Sequence, residues 1–231
     1  MAAQSFSADI EATFSALGGV FVTPAARIAE RAASCRGLVF DWDGVFNSGA
    51  KGDGAASSFS EADSMGLNLL RYGLWRRHGR LPAAAVITGE RNETATRFVT
   101  RERFDAIYSG VRNKVEALEH FCAAHALSPD ELVVVFDDVN DLAMAARASV
   151  RVLVRRDASP LLGAYAVRHG LADYVTGARA DAHAVREAAE LLLGLIGAFD
   201  DVVAKRSAWD ADYVRYFEAR QAVETRFEHA P

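Results

Sequence analysis

The feature that most constrains this chain is a recurring one: a short, continuously apolar segment that stops at a carboxylate or a hydroxyl. Gly37-Leu38-Val39-Phe40 runs into Asp41-Trp42-Asp43-Gly44, residues 83–87 run into Thr88-Gly89, and Leu132–Phe136 runs into Asp137-Asp138. Such segments are short for helices and lack the alternation of half-solvated strands, which predicts strands buried on both faces. Further strands are expected at 106–108, 150–154 and 173–175. Helical sequence lies between them, at 64–78, 93–101, from Asn113 to His125, from Asp138 to about Arg147, and at 184–196. Strands alternating with helices predict an α/β fold, a doubly wound (Rossmann-like) parallel sheet with helices on both faces.

Ligands of such sheets bind outside the carboxyl ends of the strands. Asp41, Asp43, Thr88, Asp137 and Asp138 all fall at those ends, and Lys114 begins the helix after another strand. Carboxylates from two strand ends repel one another unless a cation lies among them, and an all-oxygen set suits Mg2+. A cation, a lysine and a threonine hydroxyl make a phosphate site, with Gly44 and Gly89 allowing close backbone approach. An aspartate can attack phosphorus, and a second carboxyl two residues later shares its face of an extended segment. That second group can protonate a leaving alcohol and then activate water.

Composition narrows the setting. Of 231 residues, 51% are hydrophobic and 25% charged, enough for a sizeable core. The net charge of −5 gives no reason to expect nucleic acid. Cys35 and Cys122 are too few for a disulfide framework and read as buried free thiols. No apolar run approaches a membrane span, and Met1–Gln4 does not begin a secretory signal. The expectation is a cytoplasmic protein without a membrane or nucleic-acid partner. The chain divides into an N-terminal helical extension (1–35), a main domain (36–197) and a helical tail (198–231), with a glycine-rich β-hairpin at about 45–59.

Asp41-Trp42-Asp43-Gly44-Val45, Thr88-Gly89, Lys114 and Asp137-Asp138-Val139-Asn140-Asp141 resemble, in order and spacing, the four motifs of the haloacid dehalogenase superfamily of phosphatases. Within it, the chain is most similar to 3-deoxy-D-manno-octulosonate 8-phosphate phosphatases and their sialic-acid-type relatives. Val86-Ile87-Thr88-Gly89, the segment from Ser109 to Val115, Asp173-Tyr174-Val175-Thr176 and Ala184-Val185-Arg186-Glu187 carry that likeness. The resemblance implies a short hairpin in place of a large cap domain, and a homotetramer whose neighbours close one another's active sites. It implies Asp41 as nucleophile and Asp43 as general acid/base. Thr88, Gly89 and Lys114 would hold phosphate. Asp41, the main-chain carbonyl of Asp43 and Asp137 would bind Mg2+, with Asp138 and Asp141 in support and Asp63 near a small phosphorylated substrate, a sugar or sugar acid.

The chain departs from the family pattern at Trp42, Phe136, Glu90 and Asp181-Ala182-His183-Ala184. Trp42 could shape the pocket or fill the core. His183 and Asn140 read as helix-start residues, and Trp209, Tyr213, Tyr216 and Phe217 as core or interface. The order of the motifs argues against a receiver-type phosphoacceptor, and Asp43 argues against a dehalogenase. A phosphomutase would share the machinery but is disfavoured by the lack of a large cap. A non-catalytic assembly protein on the same scaffold is the remaining alternative.

Overall fold

The computed structural model describes residues 2–51 and 57–229. Along the chain, α1 (Ala2–Ala16), β1 (Val20–Phe21) and α2 (Ala25–Ala32) precede β2 (Gly37–Phe40). Next come α3 (Glu61–His78), β3 (Ala83–Thr88), α4 (Glu93–Arg101), β4 (Ala106–Ser109) and α5 (Lys114–His125). β5 (Leu132–Phe136) passes through a 3-10 turn (Val139–Asp141) into α6 (Leu142–Ala145), β6 (Val150–Arg155), α7 (Pro160–Arg168) and β7 (Tyr174–Arg179). The chain finishes with α8 (Ala184–Leu195), α9 (Phe199–Ser207), α10 (Ala211–Gln221) and β8 (Arg226–His229).

The strands form one sheet in the order β1-β7-β6-β5-β2-β3-β4-β8. Every pairing is parallel except the outermost, β1 on β7. Alternation along β2 sends Leu38 and Phe40 into one apolar cluster with α3 and α8, and Val39 into a second with α5. The middle of the sheet is therefore dry on both faces, as the unbroken apolar runs predicted. Phe40 pairs with Val86 on one side and Val135 on the other. That register brings the residues after β2, at the end of β3 and after β5 to one edge of the sheet.

The helices start and stop where local chemistry demands. Ser60 accepts from the Asp63 N–H to begin α3, and Gly79, at φ 68°, ends it in the left-handed region. Asn92 caps α4, and Asn113 caps α5 by accepting from the Val115 N–H.

Several elements differ from the sequence reading. The helix expected from Asp138 to Arg147 is a 3-10 turn and the four-residue α6. The N-terminal extension, expected to be helical, also contains the edge strand β1, and the tail adds β8 to the opposite edge. Asn47 makes only an isolated bridge with Asp43, and the described parts of the expected hairpin, 45–51 and 57–59, contain no strand. Its turn, 52–56, lies outside the described residues. With twenty residues between Phe40 and Glu61, β2 and α3 leave no space for a globular cap domain. Among the described residues, no helix is long and apolar enough to cross a membrane.

Candidate active site

The edge where β2, β3 and β5 end opens into a cavity of about 450 Å3. Asp41, Asp43, Thr88, Gly89, Lys114, Asp137, Asp138 and Asp141 all line it, so all but one of the expected site residues converge. The exception is Asp63. It is buried at the start of α3, where it accepts from the Ser60 hydroxyl at 2.7 Å and the Arg186 N–H at 2.9 Å. There it ties α3 to the first turn of α8 and stays clear of the pocket lining.

The floor of the pocket is a charge cluster. Lys114 donates to Asp41 Oδ1 and to Asp141 Oδ1, each at 2.6 Å. Asp41, Asp137 and Asp141 each offer a carboxylate oxygen within 4.8 Å of the others. Asp141 Oδ2 also accepts from the Asp138 N–H at 3.2 Å, while Asp138 Oδ1 accepts from Val139 N at 2.7 Å. Asp138 thus orders the loop at the rim. Asp43 is half-buried and pairs through Oδ2 with Lys51 Nζ at 2.7 Å. Thr88 is buried, and its hydroxyl accepts from the Glu90 N–H at 3.4 Å.

Three buried carboxylates face two cations, Lys114 and Arg156. Burial, then the neighbouring Asp141 charge, pushes Asp41 up to about 7 against the pull of Lys114. Burial and Asp141 likewise push Asp137 up to about 6 against Arg156. For Lys114, burial works downward, but Asp41 and Asp141 outweigh it and hold the ammonium above its ordinary value. Asp137 Oδ1 is buried and has no hydrogen-bond partner. An unpaired carboxylate oxygen beside two further carboxylates fits a divalent cation, and among the described residues the cluster is all carboxylate, which points to a hard one such as Mg2+.

Two contacts at this site were not expected from sequence. Arg156, just past β6, donates to Asp137 Oδ2, and Lys51 pairs with Asp43. Neither belongs to a motif, and nothing in Arg155-Arg156-Asp157 sets Arg156 apart in the sequence. The departures from the family pattern also find places. Trp42 is fully buried, stacks on Phe46 with ring centroids 4.9 Å apart and donates to Ser57 Oγ at 2.9 Å, so it fills the core. Phe136 is buried in the second apolar cluster, and Glu90 is exposed at the pocket rim. His183 precedes α8 in a left-handed conformation without a side-chain capping bond.

A mostly parallel sheet with this pocket at its carboxyl edge is the fold of haloacid dehalogenase (HAD) superfamily hydrolases, and the chain is similar in structure to their phosphatases. No family model matches the chain. Among solved structures, it is similar to 3-deoxy-D-manno-octulosonate 8-phosphate phosphatase from Yersinia pestis. The identity is 26% and the TM-score 0.64, covering 75% of this chain and 89% of that one. The phosphatase of the same name from Moraxella catarrhalis, solved with magnesium ion, phosphate ion and KDO, aligns with a TM-score of 0.65. It has 22% identity over 78% of this chain and 97% of that one. A protein assigned to HAD subfamily III A from Legionella pneumophila aligns at 0.65 with 25% identity, over 79% of this chain and 94% of that one.

Proposed function

We propose that this chain is a Mg2+-dependent phosphatase that hydrolyses a small phosphate monoester, a sugar or sugar-acid phosphate, through an aspartyl-phosphate on Asp41. The observation that carries this reading is the convergence of Asp41, Asp137 and Asp141 around Lys114 at the floor of one pocket. The magnesium, phosphate and KDO bound by the Moraxella phosphatase support the choice of ligand class.

Asp41, Asp137 and the Asp43 main-chain carbonyl would hold Mg2+, with Asp141 and Asp138 steadying them. Bound there, the cation screens the negative charge of the phosphate from that of the carboxylates. Lys114 and the Thr88 hydroxyl hold the phosphate oxygens, and the Gly89 backbone leaves space for them. An Asp41 oxygen attacks phosphorus, the bond from phosphorus to the ester oxygen breaks, and Asp43 gives its proton to the departing alkoxide. Asp43, now a carboxylate, takes a proton from water as that water attacks phosphorus. The bond to Asp41 breaks, releasing inorganic phosphate and restoring the carboxylate. Lys51 must leave Asp43 for this to occur, which its exposed position allows.

The same reading makes the chain a cytoplasmic homotetramer in which a neighbour covers the pocket mouth. Glu90, Arg112 and Asn140 on that rim are all exposed. Burial raises the Cys35 thiol to about 12 and the Cys122 thiol to about 11, so both remain protonated.

Phosphate release from a panel of phosphorylated metabolites and an aryl phosphate, with and without Mg2+, tests the activity. Hydrolysis should require Mg2+ and fall at least a thousandfold, on the order of the loss of an essential nucleophile, in Asp41→Asn. Undiminished turnover by Asp41→Asn would remove the mechanism. A wild-type chain inert to the whole panel would favour the non-catalytic alternative.

A further inference from the structure

The two oxygens of the Asp137 carboxylate have different fates. Oδ2 accepts from the Arg156 guanidinium. Oδ1 is buried without a partner, and the side chain as a whole is 1% exposed. Gly44 closes over this pair: at φ 87°, a Cβ on it would collide with both Asp137 Oδ2 and Arg156 Nη2. Gly49 approaches from the same loop, its Cβ position 3.8 Å from Arg156 Nη2. Arg156 is therefore clamped between a loop with no side chain at the contact and one specific oxygen of a carboxylate that belongs to the metal-binding set.

A carboxylate with one oxygen committed to a guanidinium has one oxygen left for a cation. That distinction matters between hard cations. Mg2+ takes single oxygens in a tight octahedron, whereas Ca2+ accepts about six to eight in a looser shell and readily takes both oxygens of one carboxylate. We propose that Arg156 is a positioning residue for metal selectivity: by occupying Asp137 Oδ2, it restricts Asp137 to one ligand oxygen and biases the site toward Mg2+ over Ca2+. This rests on the reading of the pocket as a Mg2+ site and deepens it. A guanidinium this close also repels any cation, so Arg156 weakens both metals by charge while separating them by geometry. The ratio of affinities, not either affinity alone, isolates the geometric effect.

The test is calorimetric titration of the metal-free protein with Mg2+ and, separately, with Ca2+, in wild type, Arg156→Ala and Arg156→Lys. Thermal unfolding of each variant checks that it is folded. Releasing Oδ2 in Arg156→Ala should raise the Ca2+:Mg2+ affinity ratio about tenfold, the lower end of what loss of an outer-shell partner costs a metal site. Arg156→Lys keeps a long donor and its charge for Asp137 Oδ2, so it should stay near the wild-type ratio. Both affinities rising together in Arg156→Ala, with the ratio unchanged, would reduce Arg156 to a charge and overturn the proposal. Lys behaving as Ala does would also overturn it. If wild type hydrolyses a phosphate ester with Mg2+ while the variants give either of those results, only the selectivity proposal falls. If wild type binds neither metal, the Mg2+ site falls with it.

Discussion

At the scale of single residues, the site depends on backbone as much as on side chains. Gly44 sits directly after Asp41 and Asp43 in the loop that follows β2, in the left-handed region, against Asp137 and Arg156. Gly44→Ala adds a methyl group where both partners already stand and imposes a left-handed conformation on a residue with a Cβ. Strain of that kind costs about 1–3 kcal/mol. The expected result is a lower melting temperature together with weaker Mg2+ binding, since Asp137 must move to admit the methyl. An alanine variant with wild-type melting and wild-type Mg2+ affinity would show that the contact is not as tight as described. Asp41, Thr88, Lys114 and Asp137 were legible in the sequence because their chemistry is tied to strand and helix ends, which apolar runs and caps mark out. Arg156 was not. Its partner lies nineteen residues away on a different strand end, and nothing local separates it from Arg155, which instead pairs with exposed Asp157. Asp63 was drawn toward the pocket by resemblance, but its short reach from the first turn of α3 serves the α8 backbone.

At the scale of elements, the N-terminal extension is fastened by one buried carboxylate. Asp173, just before β7, accepts from Thr23 Oγ1 at 2.6 Å, Arg31 Nη2 at 2.8 Å and Arg151 Nε at 2.9 Å. Its main-chain carbonyl also accepts from Val22 N and Thr23 N. Burial works to raise Asp173, but the Arg151 and Thr23 hydrogen bonds and the charges of Arg151 and Arg31 outweigh it and hold it below its ordinary value. A carboxyl depressed on folding adds stability that is fully present above its unfolded pKa, about 3.9. That stability fades as pH falls through the lower folded pKa. Asp173→Ala should therefore destabilise the chain at neutral pH, toward the lower end of the about 3–5 kcal/mol for a broken buried pair. The lower end is expected because Arg31 and Arg151 keep partial access to water. The gap between variant and wild type should narrow below about pH 4 in chemical denaturation. A gap that stayed constant down to pH 2 would deny the ion pairs any part in it. This staple was hidden in the sequence, where Asp173 reads only as the start of a strand. The edge strands were harder still. β1 is two residues long, and β8 is Arg226-Phe227-Glu228-His229, with Phe227 half-exposed, so neither carries the apolar run that made the central strands plain.

At the scale of the whole molecule, the tail decides what one edge of the sheet presents to other chains. Its aromatic spacing foretold a buried face but not whose surface would bury it, because helical amphipathicity specifies only that a partner exists. The partner is α3 of the same chain. Tyr213 and Tyr216 are fully buried against Tyr72, and their hydroxyls donate to Asn68 Oδ1 at 3.0 Å and Asn68 O at 3.1 Å. β8 then pairs with β4, converting an open strand into a covered one. Arg71, buried among these elements, donates to the carbonyls of Glu102 and Arg103, and Arg220 of α10 pairs with the Glu102 carboxylate. Removing residues 211–231 would strip away two buried tyrosines worth together about 3–6 kcal/mol and expose β4 along its length. None of those residues lines the pocket, so the chemistry itself is spared. Light scattering should give a tetramer mass for the full chain and larger, heterogeneous species for the shortened one, which should also melt earlier while its folded fraction still releases phosphate. A monomeric full chain would overturn the tetramer. A shortened chain with unchanged melting and mass would mean that β4 tolerates an open edge and that the tail is dispensable to the fold.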